Sequence, residues 1–310
     1  MLRYAARRLA AAVFVTLGVT VAVFLLLHVE PGDPARAILG EHASPQAIDA
    51  LRKQWGLDSS LGSQFVRFIG DLAHGNLGRS FVDQVSTASL IDTRIGQTAA
   101  LVGMATLFAV LITLPLASVA AVRKGKLADH LTRGLSVAGL ALPAFWFGIV
   151  LIELLSLRLK LFPVGGFGSG FWEHLHSLIL PSFTASLAIV PILVRSLRVG
   201  IIEVFEADFV ATLRSKGLGE LRVLGHVMRN ALIPTLTLLG VNIAYLIGST
   251  VVIEKVFDLN GLGTLLLTGI SERDFPVVQS VTLVLAAGVV LVNLAADLIA
   301  ARLDPRIRLG

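Results

Sequence analysis

Apolar residues in this chain come in long uninterrupted runs, without the alternation of a half-buried strand or the three-and-four spacing of a surface helix. A helix needs about 20 mostly apolar residues to cross the hydrocarbon core of a bilayer. Six charge-free runs approach or exceed that length: Leu9–Leu27, Ile95–Val122, Gly134–Ile152, Leu175–Val194, Ala231–Ile253 and Pro276–Ala296. A further uncharged run, Asn260–Ser271, has 12 residues and suits an interfacial or re-entrant segment. The pattern predicts an all-α integral membrane protein with six transmembrane helices. Pro143, Pro181 and Pro191 fall inside the predicted spans and predict kinks, because proline removes a backbone donor and clashes with the preceding turn. Arg3, Arg7 and Arg8 precede the first run, as in a secretory signal. Its 19 residues exceed a usual signal core, however, and it ends at His28-Val29-Glu30-Pro31-Gly32 without a small-residue cleavage site, so it is expected to stay as a span.

The charges orient these spans. Lys and Arg number 26 and Asp and Glu 21, a net +5 that in a soluble chain would suggest nucleic acid. With 55% hydrophobic residues, 15% charged and a mean hydropathy of +0.81, an ordinary soluble domain and a disordered chain are both excluded. An N-terminus on the cytoplasmic side puts four segments inside: the N-terminus, residues 123–133, residues 195–230 and the C-terminus. Each is net positive, and together they carry +10, against −3 outside and −2 from Glu153 and Asp297 at the ends of spans. This is the positive-inside asymmetry, so both termini are expected in the cytoplasm and no nucleic-acid partner is. The chain has no cysteine, which removes disulfides and thiolate chemistry.

Between the spans, residues 30–94 form an external segment long enough to carry structure. Ser44-Pro45 supplies a hydroxyl cap and a proline at the first helical position, and Gly56 is a stop. A second helix is expected with Phe65, Phe68, Ile69 and Leu72 on one face and His74-Gly75 beyond its end. This segment reads either as a cover on the outer mouth of the spans or as a part that meets an incoming ligand or its carrier. On the cytoplasmic side, Ile202, Phe205, Phe209 and Leu213 form an apolar stripe ended by Gly217, and Leu221, Leu224 and Met228 mark a second amphipathic helix before Pro234. Two short helices joined at a glycine fit a surface-lying pair or a protein-docking knob equally well.

Candidate chemistry narrows the function classes. No G-x-x-x-x-G-K-[ST] sequence occurs, so the phosphate-loop route to ATP is absent from this chain. The glycine cluster Val164–Gly170 matches neither a dinucleotide nor a serine-nucleophile pattern and reads as a flexible turn. His174 and His176, two apart, diverge on a helix and have no third ligand nearby, so no metal site is assigned. Glu153 and Asp297 can reach water, which disfavours an ion-gradient-driven secondary transporter. No nucleophile-and-base set suggests an intramembrane enzyme. Asn242, Tyr245, Ser249, Thr250 and Asn293 are candidates to line a translocation path, though hydrogen bonding between helices explains them as well.

Several segments resemble a known family. Glu206-Ala207-Asp208, Gly217 and Ile233-Pro234 resemble the EAA loop of bacterial ABC importer permeases, with Asp208 in place of the second alanine and a longer gap to the glycine. Asp208-Phe209-Val210, Arg214-Ser215-Lys216-Gly217-Leu218 and Arg229-Asn230-Ala231-Leu232-Ile233-Pro234 resemble its dipeptide, oligopeptide and nickel branch. So do Pro31-Gly32-Asp33-Pro34, Trp55-Gly56-Leu57-Asp58, Gly75–Ser80, Glu254–Phe257 with Gly261-Leu262-Gly263, and Leu303-Asp304-Pro305-Arg306, in order along the chain. The resemblance is to the first-subunit type of peptide permease. It implies a bacterial cytoplasmic-membrane, multi-pass, non-enzymatic subunit. Its expected partners are a second permease, one or two ATPase subunits that bind ATP and Mg, and an external solute-binding protein, with membrane lipid around it and no cofactor of its own. It further implies that residues 1–29 are an N-terminal span, 30–94 the external segment and 95–310 the permease domain. Within that domain, loop 199–234 would couple to the ATPase through Glu206, Ala207, Asp208, Arg214, Ser215, Lys216, Gly217 and Leu218. Glu254, Phe257, Gly261 and Gly263 are expected at an external gate or loop. The solute would be a di- or oligopeptide, with nickel or another small solute as the alternative.

Overall fold

The computed structural model describes residues 13–25, 34–40 and 43–303. Among them the regular elements are helices, with one isolated antiparallel bridge between Arg79 and Ser86. In chain order these are α1 (Val13–Leu25), α2 (Pro34–Leu39), α3 (Pro45–Trp55), α4 (Leu61–Ala73), α5 (Thr87–Val122), α6 (Leu127–Ala141) and α7 (Ala144–Leu151), which continues as a π-helical stretch over Ile152–Arg158. Then follow α8 (Phe171–Ser186), α9 (Val190–Phe205), α10 (Asp208–Ser215), α11 (Glu220–Val256), α12 (Leu262–Ser271) and α13 (Phe275–Leu303). Arg3, Arg7, Arg8, the ends of the first predicted span, His28, Glu30, Pro31–Asp33 and Asp304–Arg306 lie outside the described residues.

Three helices are long and apolar enough to cross a bilayer as single pieces: α5, α11 and α13 up to Ala296. The spans expected at Gly134–Ile152 and Leu175–Val194 are each a bent pair. The α6 and α7 helices meet at 98°, and α8 and α9 at 60°. Pro143 caps α7 after extended backbone at Leu142, so it makes a corner where a kink was expected, and Pro191 begins α9 just past the second bend. Pro181 and Pro234, by contrast, lie inside α8 and α11, which run on through them. The short uncharged run becomes α12, only 10 residues long.

Small side chains let these helices approach closely. Ala105, Ala109 and Ala117 line a fully buried stripe of α5, beside Leu193, Leu197 and Ile201 of α9. Val223, Val227 and Ala231 complete this core from α11. Gly240 of α11 lies so close to Ala296 of α13 that a β-carbon there would collide with it.

Three buried carboxylates tie distant segments together. Asp129 at the start of α6 accepts both arms of Arg198 on α9, at 2.5 and 2.7 Å, and the Gly125 amide at 2.9 Å. Asp274, between α12 and α13, accepts from the Ser80 hydroxyl at 2.5 Å and from the amides of Phe81 and Val82 at 3.1 and 3.2 Å. This fastens the segment between α4 and α5 to the head of α13, where Ser280 also donates to the Leu77 carbonyl at 2.6 Å. Earlier in the chain, α3 begins and ends as expected. The Ser44 hydroxyl accepts from the Ala47 amide at 3.2 Å, and Gly56 closes the helix at φ +68°. Trp55 stacks on Phe81 at 4.0 Å, joining α3 to the fastened loop. The third carboxylate, Glu254, belongs to the outer turn described below.

Arg198 is 15% and Asp129 2% exposed, so removing the acid strands a buried cation. Asp129→Ala is expected to destabilise the chain by about 3–5 kcal/mol, whereas Asp129→Leu combined with Arg198→Met recovers most of the loss. Thermal unfolding of the purified protein in detergent checks both.

Candidate functional site

The turn from α9 to α11 holds the residues singled out for coupling, but it is built differently from the expected pair of helices. The stripe through Ile202, Phe205, Phe209 and Leu213 is not one helix. Helix α9 stops at Phe205, Ala207 is extended at ψ 143°, and α10 begins afresh at Asp208. The restart changes which side faces inward. Val210 is buried at 1% exposure and Phe209 is 39% exposed, the reverse of what a continuous stripe requires. The inward face of early α11 also differs: Val223 and Val227 are buried, whereas Leu221 is 86% exposed. The two stripes lie side by side on that helix. Along the same line, one turn further on, Ala231 packs closely against Gly200 of α9, where a β-carbon would come within 3.3 Å of the Ala231 carbonyl oxygen.

Gly217 does end α10. Its φ is +77°, its amide donates to the Arg214 carbonyl at 2.9 Å, and the Leu218 amide donates to the Leu213 carbonyl at 3.2 Å. This is the six-to-one and five-to-two pair of a Schellman ending, with Leu213 and Leu218 both packed against the core. Around this buried footing the polar residues point outward. Glu206 pairs with Lys124 at 2.8 Å, and Arg214 grips both oxygens of Glu220 at 2.9 and 3.0 Å while its guanidinium lies 5.9 Å from the Phe205 ring centre. The Glu220 carboxylate, accepting those bonds, holds the Arg214 guanidinium above its ordinary range. Asp208, Ser215 and Lys216 are exposed. The result is a small charged knob with Phe209 and Leu221 uncovered on it.

The outer-turn candidates come together around one carboxylate. Glu254, near the end of α11, accepts from the Thr98 hydroxyl at 2.6 Å and the Thr264 amide at 3.0 Å, and Thr98 accepts from the Leu262 amide at 2.8 Å. Glu254 thus caps the start of α12 and fastens it to α5. Side chains at Gly261 or Gly263 would occupy the space of that carboxylate, which explains both glycines. Phe257, 1% exposed, packs its ring beside Gly148 and Thr184, and its carbonyl accepts from Gly166 at 3.1 Å. The glycine cluster 164–170 is therefore a turn tied down at Phe257. His174 stacks on Phe167 at 4.1 Å, and His176 bonds the Leu161 carbonyl at 2.9 Å.

The translocation-path candidates separate. Ser249 and Thr250 donate to carbonyls of their own helix, Leu246 at 2.9 Å and Ile247 at 2.7 Å. Asn293 is half-buried on α13. Asn242 and Tyr245 both line a cavity of about 550 Å³ beside the α6–α7 corner, whose wall includes Leu142, Pro143 and Ala188. Sequence reasoning did not anticipate this corner, nor Thr98, Ser80 and Asp274. Thr98 lies 156 residues from Glu254 and Ser80 lies 194 from Asp274, so no local pattern announces either pairing.

Comparison with known proteins agrees with this architecture. Residues 88–309 match the family described as Binding-protein-dependent transport system inner membrane component, and residues 1–102 match its N-terminal companion, Binding-prot-dependent transport system membrane comp, N-term. The Glutathione transport system permease protein GsiC of Escherichia coli O6:H1 is 37% identical over 309 residues, covering 99% of each chain. The proteins of the same name from Escherichia coli K12 and Shigella dysenteriae serotype 1 are similar to the same degree. With both family matches and full-length relatives in hand, the chain belongs to the inner membrane components of binding-protein-dependent transport systems.

Proposed function

We propose that this chain is the first-type permease subunit of an ATP-driven importer for short peptides, glutathione-like tripeptides among them. The observation that carries the reading is the exposed knob at α10, set on a buried footing within a chain of this family. Relatives named for glutathione transport, covering 99% of the chain, support a peptide as the solute. The working complex contains a second permease, one or two ATPase subunits and an external binding protein. ATP and Mg belong to the ATPases. Six spans, both termini in the cytoplasm and residues 30–94 outside follow from the charge asymmetry. The bent pairs α6–α7 and α8–α9 serve as the third and fourth spans.

Coupling in this reading is mechanical. Closure of the ATPase pair presses on α10, whose Glu206, Ala207, Asp208, Arg214, Ser215, Lys216, Gly217 and Leu218 form the contact and its root. A lever must pass force into the bundle without bending. Val210 beneath α10 and the Schellman ending at Gly217 give it that rigidity. On the outer side, Glu254, Phe257, Gly261 and Gly263 hold α12 against α5 and the α7–α8 region as an external gate.

Purified complex in vesicles, supplied with its binding protein, is expected to accumulate glutathione only with ATP inside the ATPase compartment; accumulation driven by an ion gradient without ATP would instead support a secondary transporter. Gly217→Pro, which cannot adopt positive φ and removes an amide donor, is expected to abolish solute-stimulated ATP hydrolysis while leaving insertion intact. Gly217→Ala meets no neighbouring atom and costs about 1 kcal/mol for the left-handed backbone, so it should retain most coupling. Glu206→Lys breaks an exposed ion pair that contributes little to stability, yet it should uncouple hydrolysis from transport. Assembly followed by size-exclusion, with hydrolysis and uptake measured on the same vesicles, separates loss of coupling from loss of folding.

A further inference from the structure

Backbone that leaves helical geometry at bilayer depth is tolerated where it is buried in protein or lines a water-filled cavity. Leu142–Pro143 between α6 and α7 is such a departure, and it borders the cavity of about 550 Å³ together with Ala188 of the Leu187–Ile189 turn, which keeps right-handed backbone but bends α8 against α9 by 60°. They face each other closely: a β-carbon on Gly139 would come within 3.0 Å of the Pro191 ring. The depth is consistent across elements. Pro143 is the middle residue of the charge-free run Gly134–Ile152, and Asn242, across the cavity, is the middle residue of Ala231–Ile253.

The lining is neutral and rich in acceptors. Among the described residues no charged side chain borders the cavity. Pro143 has no N–H for the Gly139 carbonyl, and among the described residues no group beyond the corner donates to the carbonyls of Gly139, Leu140 or Ala141. These carbonyls are also the negative end of the α6 dipole. Asn242, only 7% exposed, donates one N–H of its side-chain amide to the Leu238 carbonyl at 2.7 Å, which leaves its oxygen as an acceptor and its second N–H as a donor. Tyr245, 62% exposed, adds a phenol. Such a lining offers several acceptors to a cationic or N–H-bearing group and, to an anion, only the second Asn242 N–H and the Tyr245 hydroxyl.

We propose that this cavity is a solute site that takes the ammonium end and neighbouring backbone N–H groups of a short peptide, held by the last carbonyls of α6 together with Asn242 and Tyr245. The inference rests on the permease reading and deepens it by naming the part of the solute that this chain grips. Because the lining carries no formal charge, recognition falls on the constant part of a peptide, and solute side chains of either sign meet the same surroundings. Discontinuous helices meeting at half-depth are a recurrent way to build such sites.

The absence of cysteine makes the test direct, because any introduced thiol is the only one in the chain. Leu142→Cys and Ala188→Cys are made in the assembled transporter in vesicles and treated with a water-soluble, membrane-impermeant thiol reagent. Both are expected to react at least about tenfold faster than Leu111→Cys, an exposed apolar position on α5, since the thiolate forms only in contact with water. Trialanine at twice its dissociation constant should slow them about threefold. N-acetyl-trialanine, which lacks the ammonium, should protect less than half as well and maltose not at all, and Asn242→Leu with Tyr245→Phe should remove the protection. Reaction no faster than at Leu111→Cys, or equal protection by trialanine and its acetylated form, overturns the proposal. ATP-dependent glutathione uptake is followed in the same vesicles. Uptake without protection sinks the cavity site and leaves the permease reading standing; protection without uptake supports the site and sinks that reading.

Discussion

Inside a bilayer, a backbone amide or carbonyl has no water to turn to, so each must be paired within the protein or open onto a wet cavity. The rest of the structure follows from how the chain meets that constraint. Where it runs as α5, α11 and α13, the helix supplies nearly every partner, except opposite Pro115 and Pro234, and the side chains can be almost wholly apolar. Where the chain breaks, at Pro143 and at the turn before Pro191, the freed groups cannot face lipid, and both breaks border one open cavity. The corners of the two bent spans and the polar residues of α11 are therefore parts of one solution.

At the ends of the long helices, the frame is held by carboxylates. Asp129 joins α6 to α9 at one end, while Glu254 and Asp274 fasten α12, α5 and the loop at Ser80–Val82 at the other. Each is buried and fully committed to donors, so losing a partner is costly. The exposed pairs Lys124–Glu206, Arg214–Glu220 and Arg158–Glu153 are of another kind. They stabilise little, which leaves their charges available to a docking partner. A rigid frame with lightly held charges on an exposed knob is what transmission of force from outside the chain requires.

Apolar run lengths located α5, α11 and α13, because a span must be about as long as the membrane is thick, but gave no sign that two other runs would be bent pairs. The capping residues Ser44, Gly56 and Gly217 were legible for a similar reason: each satisfies a purely local requirement. Other features were set by partners far away in the chain. Neither a 98° corner at Pro143 nor a milder kink can be chosen from composition, since the answer depends on what packs opposite. The choice of Val210 over Phe209 turned on the break between α9 and α10, and that of Val223 over Leu221 on how α11 packs beside α9. Glu254 stood out as part of a resemblance, but its pairing with Thr98 joins elements remote in sequence and shows only in three dimensions.

Contact between the α10 knob and an ATPase is the central claim, and a unique thiol tests it most directly. In a chain without native cysteine, Ser215→Cys on the knob and Ser63→Cys on the external α4 are each treated with a short thiol-to-amine cross-linker in membranes holding the assembled transporter. The predicted result is a Ser215→Cys adduct with the ATPase subunit and no such adduct from Ser63→Cys. An active transporter in which Ser215→Cys yields no ATPase adduct, or in which Ser63→Cys does, would contradict it.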